Sequence, residues 1–183
     1  PTGIRMPFEK LVGLIQERGV DVLVDAAHGP GIVPLDIRKL NAAYITGNCH
    51  KWICTPKGSA FLHIRDDRRE GVKPLTIGHG YSSDLPSAEK FRMEFDWTGT
   101  RDPSPWLCIP FAISHIGGLI NGGWTKIMSK NHEMAIFGRD LLCEALDTSP
   151  PTPDSMVSSM SSVEFPWNED VGPAPIEGDP IHN

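Results

Sequence analysis

Two residues of this sequence could do chemistry together. Lys51 stands just past one short apolar stretch, and Asp25 closes an earlier one. They lie 51 − 25 = 26 positions apart, the length of one strand–helix–strand step. A desolvated lysine at such a place forms a Schiff base with an aldehyde. A carboxylate beside it keeps a pyridine nitrogen protonated. These are the two protein groups that pyridoxal phosphate (PLP) requires. The plain alternatives are that Asp25 caps a turn and that Lys51 is a surface loop residue, and spacing alone leaves both open.

The elements around them must be able to bring the two side chains into one crevice. Residues 7–18 put Phe8, Leu11, Val12 and Ile15 at helical spacing, with Pro7 at the start and Gly19 as a stop. Residues 20–24 read as a buried strand ending at Asp25. Gly29, Pro30 and Gly31 make a turn, residues 35–40 a short helix, 43–46 a second strand and 59–64 a third. The stretch 66–101 is expected to be loop. A helix is predicted over 103–120 and a longer one over 124–146, the latter with Ile127, Met128, Ala135, Leu141, Leu142 and Ala145 on one face. Residues 156–165 are expected to form a strand. Alternating helices and strands predict an α/β fold with a mainly parallel sheet. Ligands of such sheets bind beyond the carboxyl ends of the strands, where Asp25 and 48–51 fall.

Composition narrows the classes. The 183 residues carry 17 basic and 23 acidic side chains, a net charge of −6, so no basic excess points to nucleic acid. No apolar run reaches the ~20 residues of a membrane span. Residues 1–147 hold all the Lys and Arg, whereas 148–183 hold six acids and seven prolines, so a boundary is expected near 148. Cys49, Cys54, Cys108 and Cys143 show no paired spacing, which predicts a reducing, cytoplasmic setting. Cys49 and His50 are adjacent and no C-x₂-C or H-x₃-H pattern occurs, so no metal is expected.

The segment VDAAHGPG (24–31) followed by TGNCHKWICTPKGSAFL (46–62) resembles the fold-type I, class V aminotransferase family of PLP enzymes, and within it the isopenicillin N epimerase-like branch. The resemblance covers roughly residues 5–125. It implies that Lys51 is the Schiff-base lysine and α-proton carrier, and that Asp25 pairs with the pyridinium nitrogen. It places His28 near the ring 3-hydroxyl, and Asn48 and His50 at the cofactor phosphate. Many relatives have Ser-Gly-His-Lys where this chain has Asn48-Cys49-His50-Lys51. Thr100, in a Thr98-Gly99-Thr100 turn before a helix start, is implied as a phosphate ligand for the neighbouring subunit of a homodimer with shared active sites. A plain helix cap is the alternative from spacing. No cysteine matches a desulfurase nucleophile. Arg92 and Arg101 could hold a substrate carboxylate, or pair with Glu94 and Asp102. Trp52 and Trp97 read as packing residues.

The implied organisation is a partial large PLP-binding domain over 1–122, a connecting helix over 123–147, the start of a small C-terminal domain over 148–165, and a Pro-rich acidic tail over 166–183, expected to be disordered or cut off. The implied substrate is a small amino acid. The implied reaction is epimerisation, with carbon–sulfur lysis of the desulfurase kind, transamination, or a non-catalytic remnant as alternatives. A Gly-rich phosphate turn and a ring-stacking aromatic are not found, and the carboxylate-binding arginine that the family's small domain supplies has no clear candidate, so this stretch alone is expected to be an incomplete enzyme.

Overall fold

The computed structural model describes residues 2–97 and 99–165. Thr98 and the tail from 166 lie outside the described residues. The chain opens with helix α1 (Phe8–Gln16), whose inward Val12 is 2% exposed. Gly19, at φ 75°, turns the chain out of this helix. Strand β1 (Leu23–Ala26) follows, so Asp25 lies inside the strand rather than after it. A short helix, α2 (Ile37–Leu40), is capped by Asp36, whose carboxylate accepts the Lys39 N–H at 3.0 Å. Strand β2 (Tyr44–Asn48) and strand β3 (Ala60–Ile64) complete the sheet.

The order is β1-β2-β3, with β1 and β2 parallel and β2 and β3 antiparallel. The sheet is thus mixed, not mainly parallel. Residues 49–59 contain no helix, and a parallel return normally needs a helical crossover. Val12, Ala42 and Ile45 form the core under the sheet, joined by Val24, Ala26, Ile37, Leu40 and Phe61. Burying a side chain such as Ile45 completely is worth ~1.5–3 kcal/mol.

Helix α3 (Ser87–Asp96) stands in the stretch expected to be loop. Its inward residue is Glu94, 2% exposed, paired with Lys73 Nζ at 2.8 Å. An acid at the buried position hides the helical apolar pattern. The helix expected over 103–120 is two: α4 (Ser104–Leu107) and α5 (Ile109–Gly117). Pro110 has no N–H to continue the ladder across the junction.

Helix α6 (Gly123–Leu146) runs as predicted, but its inward residues differ. Leu141 and Leu142 are half exposed, while Arg139 and Cys143 are buried. Arg139 reaches Asp154 at 2.6 Å and Asp140 at 2.7 Å, which fastens α6 to the segment after it. That segment holds a single 3₁₀ turn, Asp154–Met156, and no strand over 156–165. Its backbone and hydroxyls bond outward one at a time: Met156 O accepts from Arg5 N at 2.7 Å, and Ser161 donates to Ala135 O at 3.0 Å. No neighbouring strand among the described residues offers it a ladder.

Candidate active site

The parallel register fixes the site. Asp25 lies opposite Thr46, and Ala26 opposite Gly47. The ladder continues one step beyond the strand, where Asn48 N donates to Ala27 O at 3.3 Å. Asp25 then caps its own strand end: its carboxylate accepts the Ala27 N–H at 2.9 Å. The capping reading of Asp25 is therefore real. One oxygen is used that way, and a carboxylate has acceptor sites to spare.

Residues 49–59 form the loop that presents Lys51. Its base is closed by the Ser59 carbonyl, which accepts from Cys49 N at 3.0 Å, His50 N at 3.3 Å and His50 Nδ1 at 2.8 Å. The hydroxyls of Thr55 and Ser59, both buried, bond to each other inside the loop. Cys49 and Ile53 anchor it against Ala112 of α5, with Ile109 and Trp124 alongside. Trp124 Nε1 donates to Ile113 O at 2.9 Å. Gly117 is required there, because a Cβ would come within 2.8 Å of the same indole nitrogen. Lys51 is half-buried at the tip of this braced loop.

His28 follows β1 and meets this loop. Trp52 Nε1 donates to His28 Nδ1 at 3.3 Å. Burial first, and then the charge of Lys51, hold the His28 imidazole below its ordinary value of 6.5, while Asp25 pulls weakly the other way. Lys51 and Asp25 thus both influence the charge of one imidazole. Asp25 and His28 also line a cavity of about 440 Å³ under the N-terminal segment and Ser158; Lys51 is not in its wall.

Asn48 ends β2, three positions before Lys51 in the same crevice edge. Thr100 is exposed, and among the described residues no hydrogen bond ties it to Asp25, His28, His50 or Lys51. The helix it precedes has only four residues, and its first N–H is already taken by Asp102, which accepts from Ser104 N at 2.9 Å. Arg101 lies over the Trp106 ring at 4.2 Å, and Glu94 pairs with Lys73 rather than Arg92. Burial raises the Cys49 thiol above its ordinary range, which makes it a poor nucleophile. Among the described residues no three His, Cys, Asp or Glu side chains gather as a metal site.

Sequence reasoning missed Trp52 as a partner of His28. Its signal was the adjacency His50-Lys51-Trp52, which puts an indole donor on the same loop as the amine. It also missed the Thr55–Ser59 brace.

The chain belongs to the aminotransferase class-V family, whose model matches residues 1–163. It is 33% identical over 171 residues to an L-cysteine desulfhydrase of Arabidopsis thaliana, covering 92% of this chain and 36% of the relative. It is 32% identical over 180 residues to an isopenicillin N epimerase of Amycolatopsis lactamdurans, covering 92% of this chain and 44% of the relative. In fold it is similar to the apo cysteine desulfurase of Thermococcus onnurineus NA1, with a TM-score of 0.71 at 20% identity, over 92% of this chain and 43% of that one. The chain thus spans less than half the length of each of these relatives. No helix among the described residues is long and apolar enough to cross a membrane.

The residues present fit PLP by their chemistry. Lys51 supplies a primary amine and Asp25 a carboxylate with a free oxygen. His28 supplies a ring N–H left over from its bond with Trp52. All three sit at one end of the β1–β2 pair.

Proposed function

We propose that the protein carrying this chain is a PLP-dependent enzyme that removes the α-proton of a small amino acid. The observation that supports it best is the β1–β2 register, which sets the Asp25 carboxylate and the Lys51 loop at the same strand ends. Bound PLP supplies an electron sink that acidifies the substrate α-carbon. Lys51 would hold the cofactor through its amine, and its Nζ would carry the α-proton. Asp25 keeps a proton on the ring nitrogen with its uncommitted oxygen. Asn48 and His50 face the phosphate, and Thr100 serves the phosphate of the neighbouring subunit in a homodimer. The four free thiols suit a cytoplasmic setting.

Two outcomes share that proton removal. Returning the proton to the opposite face gives the D-epimer. Expelling a β-sulfur gives a carbon–sulfur lyase. Relatives named as isopenicillin N epimerases, at 32% identity, and as L-cysteine desulfhydrases or putative ones, at 33–38%, support the two readings. The full-length protein, loaded with PLP in D₂O, is offered L-cysteine and a panel of L-amino acids. Sulfide release marks the lyase, and a D-product deuterated at the α-carbon marks the epimerase. A PLP-loaded protein that neither releases sulfide nor incorporates α-deuterium into any of them contradicts the proposal.

A further inference from the structure

The hydrogen bonds around Lys51 give the two neighbouring histidines opposite tautomers. An indole N–H only donates, so the 3.3 Å contact from Trp52 Nε1 makes His28 Nδ1 an acceptor. The proton of the neutral His28 ring then sits on Nε2. A carbonyl only accepts, so the 2.8 Å contact between His50 Nδ1 and Ser59 O puts the His50 proton on Nδ1. His28 can therefore donate from Nε2 while remaining uncharged, whereas His50 can donate from Nε2 only as an imidazolium.

Trp52 is held in place to do this. Gly31, at φ 91°, lies against its backbone, and a Cβ there would come within 2.9 Å of Trp52 O. Only glycine permits both that conformation and that approach. The turn after β1 and the lysine loop are thereby packed together, one carrying His28 and the other Trp52. Burial and the Lys51 charge also favour the uncharged His28 ring.

We propose that Trp52 is a positioning residue that fixes His28 as its Nε2–H tautomer, so that the ring offers one neutral N–H donor to an anionic oxygen of the cofactor ring beside Lys51. A neutral N–H steadies such an oxygen without giving it a proton. The tautomer follows from the hydrogen bond alone; the identity of the acceptor rests on the PLP reading above.

Long-range ¹H–¹⁵N correlation spectra of the cofactor-free full-length protein, near neutral pH, test the tautomer. His28→Gln assigns the signals. The wild type should show His28 as Nε2–H alone, and Trp52→Phe should show both tautomers. His28 protonated on Nδ1 in the wild type, or a pattern unchanged in Trp52→Phe, overturns the proposal. The second arm is PLP affinity by equilibrium dialysis. Losing one donor bond should weaken binding ~5–10-fold in Trp52→Phe. In a His28→Gln background the amide donates whatever Trp52 does, so the same substitution should cost under ~2-fold. An equal loss in both backgrounds would make Trp52 merely structural and overturn its positioning role. A wild type that takes up no PLP would sink the function proposed above, while the spectra still decide the tautomer.

Discussion

The Ser59 carbonyl accepts the Nδ1–H of His50 at 2.8 Å, nine residues along the chain, and so closes the loop that carries Lys51. The Ser59 hydroxyl meets that of Thr55 inside the same loop. Removing one of them, as in Thr55→Val, leaves the buried Ser59 hydroxyl with only its longer 3.3 Å bond to Pro56 O. A loss of about 1–2 kcal/mol in unfolding free energy is expected, read by denaturant titration. An unchanged midpoint would show that the hydroxyl pair does not brace the loop.

Asp25→Asn keeps the shape at the end of β1, and the amide oxygen can still accept the Ala27 N–H. PLP binding should survive better than turnover. Loss of the charge should lower the rate on the order of 10²-fold or more. Wild-type turnover in the Asn variant would remove Asp25 from its role.

His28 contributes to the pH dependence of stability with a definite sign. Its folded-state value lies below 6.5, so the folded chain binds fewer protons there than the unfolded one. Stability is therefore reduced at acid pH and recovers as pH rises toward 6.5. His28→Gln should flatten the Tm profile across that window. A steeper profile in the variant would reverse the sign.

Lys73 and Glu94 form an unequal pair, since Glu94 is 2% exposed and Lys73 55%. Lys73→Met strands a buried carboxylate, whereas Glu94→Gln frees an amine that reaches water. The first should cost about 1–3 kcal/mol and exceed the second. Thermal unfolding of the two variants decides it, and the reverse order would contradict the burial argument.

If Thr100 serves the neighbouring subunit, a Lys51→Ala chain mixed with a Thr100→Ala chain puts both lesions in one site of the heterodimer and neither in the other. Partial recovery of activity is expected. Mixed dimers without recovery would place Thr100 in its own subunit's site.

The β1–β2 step that carries Asp25 and leads to Lys51 was legible because its signals are local. An apolar run, a turn of Gly29, Pro30 and Gly31, and a second run set Asp25 and Lys51 one strand step apart, and β1 and β2 pair as that step requires. Strand β3 was legible at 59–64, but its antiparallel direction was not, because a short apolar run carries no direction. Helix α3 was hidden by Glu94, a buried acid whose partner Lys73 is 21 residues away. The inward face of α6 was misread for the same reason: Arg139 is buried against two acids while Leu141 and Leu142 stay half exposed. The Trp52–His28 bond spans 24 residues and depends on the approach allowed at Gly31, which no local pattern announces.

The most direct measurement of the central claim is borohydride reduction of the PLP-loaded full-length protein, followed by peptide mapping. The pyridoxyl mass should fall on Lys51, the half-buried amine of the braced loop. The label on Lys57 instead, or on no lysine, would contradict the account.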